Sequence, residues 1–589
     1  MKRIPFGNLK NNVQGLPRLP VPTLDDTFAR YVASVTPLKK NDKVSKHLSK
    51  LEAFKNGSAA KLQSVLLTDD AVRVGYPHSY IESLWDTGYL EFRVPSPINV
   101  SPAFCLKPLF KGKSQSEVAA SVVHSLQKLL LKYTTEGVDV PVAVDVSQLS
   151  SQFCFSRVPL PKRDELVVYD VTSAKNIAVL RAGQIFLVRI YDDNGTAISQ
   201  LELKRSFEEI LLSTSDANTS IAALTSISRD DWSACIIELE KDPHNFHVLE
   251  SIRQCVIILC LDRECWATDN AAKQKAMLHG GPEAENRWYD KHQLIVSADG
   301  QVAVNFEHAF SDGATWSRWI SEICSDLSGS PSVYSKLPTL PVSCQSHPVT
   351  PIALNIGQRF SSQLRSAHSF ARSLGDTVVL ETLVLPYGKE SLKQKKISPD
   401  AFFQMSLHLA HFRMTDKLAP AYESCSTAKF FHGRTETIRS ATIQVRDVTS
   451  LVTQNASHNT IKEALLRMSL EHQAQAKRCA AGQGIDRHLL ALKDIAGRTQ
   501  DIDALDFFSD SLYKSSCTWK LSTSNVSQPF LDLFNFGPVV PDGYGIGYII
   551  DDHEMRACIS TFSASSNANA FTFAAALARA AEELFHVLD

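Results

Sequence analysis

Residues 292–313 read HQLIVSADGQVAVNFEHAFSDG. Two strand-like runs flank Ala298-Asp299-Gly300, and an Asp-Gly pair between such runs signals a β-hairpin. The second run ends at His308, with Asp312 four residues on and Gly313 beyond it. A neutral imidazole with a pKa of about 6.5 is the usual group for moving a proton at neutral pH, although a histidine at a strand end is more often structural.

Outward from the hairpin, further strand patterns appear in ELVVYDV (165–171), NIAVLRAGQIFLVRIYD (176–192) and QCVIILCLD (254–262). Helical patterns dominate up to about residue 135 and begin near Thr23-Leu24-Asp25. A Ser- and Pro-rich stretch at 328–351 reads as a connector, so a domain boundary is expected near 350, with domains at 1–350 and 351–589. Beyond it, SPDAFFQMSLHLAHFRM (398–414) carries a helix-start signal, with Ser398 as N-cap, Pro399 at the first position and Asp400 in the first turn. Phe402, Met405, Leu409 and Phe412 fall on one face of that helix. ANAFTFAAALARAAEELFHVL (568–588) predicts a closing helix. The pattern is that of a mixed α/β protein in two halves.

Composition narrows the class. At 589 residues the chain exceeds what one hydrophobic core supports, since single cores stop growing near roughly 250–300 residues. Apolar residues make up 44 % and charged residues 21 %, and the net charge of −2 provides no basic field for nucleic acid. The longest clean apolar run, CVIILCL (255–261), is far short of the roughly 20 residues needed to span a bilayer, so it predicts a buried strand. Twelve cysteines without CxxC pairs fit a reducing compartment and argue against a disulfide framework or a zinc module. The start, MKRIPFGNLKNN, is basic without an apolar secretory core, and the end, HVLD, is not a peroxisomal address.

Four other motifs bear on chemistry. In LSTSNVSQPF (521–530), Ser522 and Ser524 share one face of a strand; this is either a hydroxyl-rich edge strand or a donor set for an oxyanion. It lacks the GxSxG context of a hydrolase nucleophile. FFHGRTETIRS (430–440), after Tyr-Glu-Ser at 422–424, offers two arginines and several hydroxyls suited to an anion, or a surface turn with a local ion pair. GKESLKQKKISPD (388–400) places four lysines before a helix start, a plausible phosphate site whose bland alternative is a solvated face. DGYGIGYII (542–550) mimics a dinucleotide fingerprint but leads into a strand-like run, so that reading fails.

In combination and in this order, the motifs closely resemble the carnitine/choline acyltransferase family. The matching elements are LPRLPVPTLDDTFARY (16–31), YLEFRVP (89–95), NRWYDK (286–291), FEHAFSDG (306–313), GK with SPDAFFQM (388–405), FHGRTETIRS (431–440), IDRHLLALK (485–493), LSTS (521–524) and FGPVVPDGYGIGY (536–548). They run nearly end to end. The resemblance implies two domains of chloramphenicol-acetyltransferase-like fold, mixed β-sheets flanked by helices, with an active-site tunnel at their interface. It implies that His308 is the general base and that Ser524 stabilises the oxyanion. Tyr422, Ser424, Thr435, Arg487, Ser522, Phe536 and Tyr89 would bind carnitine, with Arg487 on its carboxylate and Phe536 beside its trimethylammonium group. Lys389 and Lys393 would hold the 3′-phosphate of coenzyme A, with Asp400 beside the nucleotide. No metal and no cofactor beyond coenzyme A as substrate are expected, nor a nucleic-acid partner, and a monomer is.

Arginine and threonine at 487 and 435 are of carnitine type, because choline has no carboxylate to bind. The wording around FEHAFSDG and GQGIDRHLLALK resembles the long-chain mitochondrial members. Two features depart from them: no room for their membrane-associating insertion before SRVPLPKRDEL (156–166), and Phe534 where medium- and long-chain members carry glycine. A phenyl ring in a closely packed wall excludes a long alkyl chain. Acetyl transfer is therefore the expectation, medium- or long-chain transfer the alternative. A non-catalytic acyl-CoA-binding relative is the reading from another class, weakened by the intact His308, STS triplet and Arg487. The basic start favours a mitochondrial location over cytosol or a peroxisome-like organelle.

Overall fold

The computed structural model of the protein describes residues 15–38, 41–138, 143–213, 220–266, 269–329 and 334–589. Its chain divides into two compact units. Among the described residues, the first holds Thr87–Val378 together with Gln528–Gly537; the second holds Gly15–Asp86, Val379–Ser527 and Pro538–Asp589.

The first unit is built on an eight-stranded sheet. In spatial order its strands are Thr350–Ile352, Gln184–Arg189, Asn176–Arg181, Ile258–Leu261, Gln293–Val296, Val302–Asn305, Ala103–Leu106 and Leu531–Asn535. Two of the seven pairings are parallel, at Asn176–Arg181 with Ile258–Leu261 and at Ile258–Leu261 with Gln293–Val296; the rest are antiparallel. The hairpin read from the sequence is present, with Gly300 at φ +79° in its turn. CVIILCL contributes a strand buried along its whole length. Helices Gln115–Thr135 and Asn270–His279 pack on this sheet. The N-cap Ser114 and Glu117 form a reciprocal capping box that starts the first of them.

The second unit has a six-stranded mixed sheet, in the order Val378–Leu385, Met555–Phe562, Tyr544–Ile550, Leu521–Asn525, Ala421–Ser426 and Thr435–Ile438. Helix Pro399–Thr415 begins as expected, with the Ser398 hydroxyl accepting from the Ala401 N–H. It is not amphipathic, however: every residue from Ala401 to Ala410 is buried, because the helix packs against helices His458–Ala480 and Ala570–Val587 and, through Gln404, against the sheet. Leu24–Val35 starts at Thr23, whose side chain caps the Asp26 N–H.

Three expectations need correction. The boundary expected at 350 falls inside the first unit, which runs on to Val378. Composition marks 328–351 as a connector, yet Thr350–Ile352 adds an edge strand to the first sheet and helix Gln358–Ser373 packs in the same unit. The halves are also interleaved: residues 15–86 join the second unit, and Gln528–Gly537, with Phe534 and Phe536, joins the first. Finally, the STS strand is not at an edge but between two parallel neighbours. The twelve cysteines are all free, and no described helix is long and apolar enough to cross a membrane.

Several histidines are buried as neutral rings. Burial lowers His408 to about 3, and His279 and His488 to about 4. Each ring charges below about 6.5 only when the chain unfolds, so its contribution is complete above that pH and is lost as pH falls toward 4. In that window each histidine costs about 1.4 kcal/mol per pH unit. Glu423 and Glu436, raised by burial to about 8 and about 7, add stability as pH falls over the same range and oppose the histidines, so the test is a difference. The urea midpoint of His488→Gln should fall less between pH 7 and pH 5 than that of the unsubstituted protein, and parallel profiles would show that this ring is already protonated in the fold.

Candidate active site

The first unit holds two aromatic contacts of interest, Tyr89 with His308 and Phe534 with Phe536. His308 is half-buried just beyond strand Val302–Asn305. Its Nδ1 lies 3.0 Å from the carbonyl oxygen of Ser311. A carbonyl only accepts, so Nδ1 carries the proton and the lone pair of the neutral ring sits on Nε2. Ser311 is itself held, its hydroxyl donating to Gln152 Oε1 at 3.0 Å and accepting from the Trp316 indole. The Trp316 ring also packs 4.9 Å from the imidazole, and Tyr89 covers it at 4.9 Å on a 37° tilt.

The neighbouring carboxylate is tied down as well. Glu307 is buried and accepts from Arg157 Nη1 at 3.1 Å and from the Ala309 N–H at 3.0 Å. Burial pushes its carboxyl upward, against the pull of Arg157. The fully buried Arg157 also donates to Asp164 at 2.6 Å and to the carbonyl of Tyr89 at 2.8 Å. One guanidinium therefore holds the segments on both sides of the histidine. Asp312, four residues beyond His308, accepts from Gln148 at 2.8 Å.

Phe534 projects from strand Leu531–Asn535 directly opposite Phe104, ring to ring at 5.0 Å, and Phe536 lies 5.6 Å further along. The backbone passes tightly here: a Cβ at Gly537 would stand 2.1 Å from the Ile98 carbonyl oxygen, so glycine is required after Phe536.

In the second unit, Tyr422, Ser424, Ser522 and Ser524 share one face of the sheet, with Tyr422 in register with Ser522. Ser424 Oγ and Ser524 Oγ are 3.0 Å apart. On the other side of the serines, Gly545 and Gly547 are the register partners of Ser522 and Ser524. The glycine pattern that imitates a dinucleotide motif thus keeps this face free of side chains beside the two hydroxyls. The opposite face is covered: Thr523 accepts from Gln404 of helix Pro399–Thr415 at 2.9 Å, and Glu423 pairs with His472 of helix His458–Ala480 at 2.8 Å.

Arg487 opens helix Asp486–Thr499 and reaches back to strand Thr435–Ile438. Its Nε donates to the Thr435 carbonyl at 2.8 Å, and its Nη2 lies 3.4 Å from both Tyr422 Oη and Thr435 Oγ1. Burial would depress the guanidinium, but Tyr422, Glu436 and Asp486 more than offset this and hold it above its ordinary value. Its cationic face stacks on Trp85 at 4.8 Å, and Arg434 stacks on the same indole at 5.0 Å. The other arginine of the FFHGRTETIRS motif, Arg439, is committed to Asp486 at 2.7 Å.

Lys389 and Lys393 occupy a short helix, Lys389–Gln394, and Lys393 is exposed. The turn before it needs glycine, since a Cβ at Gly388 would lie 2.3 Å from the Asp552 carbonyl oxygen. Asp400 accepts from Tyr548 Oη at 2.6 Å and from Asn525 Nδ2 at 3.0 Å, so its carboxylate ties the helix start to the STS strand. Asp400, Glu423 and His472 form one group whose donor atoms all lie within 4.8 Å, and His78, Glu82 and His432 form another. Hydrogen bonds partner members of both groups internally: His472 pairs with Glu423, and His432 with Glu82 at 2.7 Å.

The choline/carnitine O-acyltransferase family model matches residues 19–579 of this sequence. The chain belongs to that family. The mitochondrial carnitine O-palmitoyltransferase 2 of Bos taurus is 30 % identical over 98 % of this chain and 92 % of its own length. The corresponding protein of Rattus norvegicus is 31 % identical over the same shares. The carnitine O-acetyltransferase of Columba livia is 29 % identical over 99 % of this chain and 95 % of its own.

In this acyltransferase, sequence reasoning found the polar motifs and missed the residues that hold them. Trp85, Arg157 and Ser311 give no local signal, because each acts on a partner far away in sequence or through its backbone. Arg157→Ala leaves Asp164 and Glu307 buried with fewer partners, and breaking such a pair typically costs about 3–5 kcal/mol. Urea denaturation should record a loss of that size. A loss under about 1 kcal/mol, the value of an exposed pair, would mean the network is dispensable.

Proposed function

We propose that the protein catalyses reversible transfer of a short acyl group, acetyl, between coenzyme A and the hydroxyl of carnitine. His308 Nε2 takes the proton of the carnitine hydroxyl as that oxygen attacks the thioester carbonyl. The Ser524 hydroxyl, aligned by Ser424 at 3.0 Å, donates to the resulting oxyanion. Collapse expels the coenzyme A thiolate, which recovers the proton from His308. No acyl-enzyme forms, and no metal or further cofactor takes part.

The choice of alcohol rests on Arg487. A guanidinium held between Tyr422, Thr435 and the Trp85 face suits a carboxylate, which carnitine has and choline lacks. Ser522 completes the polar face, and Tyr89 and Phe536 give the trimethylammonium group aromatic walls. Lys389 and Lys393 take the 3′-phosphate of coenzyme A, with Asp400 near the nucleotide. The choice of acyl group rests on Phe534, which is 4 % exposed and filled in by Phe104. The mitochondrial relatives support a mitochondrial location, and we take the enzyme to act as a monomer.

Thiol release from acetyl-, octanoyl- and palmitoyl-CoA, each with carnitine, choline or neither, tests the proposal. Acetyl-CoA with carnitine should be the preferred pair. A preference for palmitoyl-CoA replaces the short-chain reading with that of the palmitoyltransferase relatives, and release without an alcohol replaces transfer with hydrolysis. His308→Ala should abolish turnover while coenzyme A affinity, measured by calorimetry, stays within about twofold, a change of only ~0.4 kcal/mol. Arg487→Ala should raise the KM for carnitine by about 30-fold or more, as expected for losing a charge-assisted partner. An unchanged KM would remove Arg487 from the carboxylate site.

A further inference from the structure

Phe534 does not stand alone. Phe104, wholly buried on the adjacent strand, is its direct register partner, so both rings project from the same face of the sheet. The two rings meet edge to face at 5.0 Å and 74°. Phe104 continues the wall toward the imidazole, edge-on to Phe306 at 5.1 Å and to Trp316 at 6.2 Å; Trp316 in turn touches His308. On its other side Phe104 is in register with Val304, and Val304 with Leu294. A single apolar row, Phe534–Phe104–Val304–Leu294, therefore crosses the sheet, and all four side chains are buried.

The register of this row is pinned. Pairing shifts between Cys105 and Leu106, leaving Asp532 without an opposite residue, and the Asp532 carboxylate is anchored by Lys273 at 3.0 Å. A one-residue slip would turn Phe534 to the other face, and this irregularity opposes it.

From these contacts we propose that Phe104 is a second determinant of acyl-chain length, closing the acyl site jointly with Phe534. This rests on the short-chain reading above. Removing the Phe534 ring opens a hole whose nearest wall is another aromatic ring, and neighbours in a packed core relax into such a space. An acyl chain that passes both positions would run along Val304 and Leu294. Chain length is thus limited by two rings in series, Phe534 first and Phe104 behind it.

The test compares kcat/KM for acetyl-, hexanoyl-, octanoyl- and decanoyl-CoA, with carnitine, in wild type, Phe534→Gly, Phe104→Val, the double variant, and Phe534→Gly combined with Phe104→Trp. The octanoyl-to-acetyl ratio should rise in Phe534→Gly and rise again by roughly tenfold or more in the double variant, as for methylenes newly admitted to an apolar pocket. Phe104→Trp should return the Phe534→Gly background to the short-chain profile. Because this second arm enlarges the core side chain, it still tests the proposal if the Val variants fold poorly. A double variant with the profile of Phe534→Gly alone, or a Trp substitution without effect on that profile, overturns the role of Phe104 and leaves acetyl transfer intact. A wild type that already prefers decanoyl- to acetyl-CoA overturns the short-chain reading itself.

Discussion

Arg157 is a cation taken wholly out of water, and the first unit is arranged to satisfy it. Its three nitrogens meet Asp164, Glu307 and the Tyr89 carbonyl. Asp164 is shared with a second fully buried arginine, Arg229, which pairs with Asp290 at 2.6 Å; Asp290 also receives the Trp232 indole at 2.7 Å. Burying such charges is costly and is offset only when every partner is in place. The network contributes little net stability, but it permits one arrangement of the chain around Tyr89 and Glu307. His308 follows Glu307 directly, so the position of its ring is a consequence of that demand.

The same principle operates in the second unit with neutral groups. Alternation along Ala421–Ser426 and Leu521–Asn525 sends Glu423 and Thr523 into contact with helices and leaves Tyr422, Ser424, Ser522 and Ser524 on the other face. Buried polar groups facing the helices are paired, which fixes the strands against slippage. The other face is then free to carry hydroxyls at defined spacing beside a glycine pair. Arg487 reaches that face from a helix start whose packing needs Gly484, where a Cβ would lie 2.2 Å from Glu436 Cγ.

Much of this was legible in the sequence. The hairpin before His308, the capped helices at Thr23 and Ser398, and the strand through Gly545 and Gly547 follow from local rules, because turns, caps and alternation are decided by residues close in sequence. Strands Ala103–Leu106 and Leu531–Asn535 were not legible. Each has only a few residues, too short for periodicity to register: Ala103–Leu106 is a strand because it pairs with Val302–Asn305 and Leu531–Asn535, and Leu531–Asn535 because it pairs with Ala103–Leu106. The compositional boundary at 350 failed for a related reason: Ser and Pro mark a connecting path, not the sheet the chain joins afterward.

By itself the sequence determined the family, the two-part α/β character, and the residue types available for proton transfer, anion binding and oxyanion stabilisation. These are properties of side-chain chemistry and local order. Only the tertiary structure decided which nitrogen of His308 carries its proton, because that depends on a carbonyl held in place by Gln152 and Trp316. It also decided that Phe534 belongs to the unit of His308 and faces Phe104, although more than four hundred residues separate the two rings along the chain. Pairing across that distance arises from backbone hydrogen bonds and packing that no local pattern encodes.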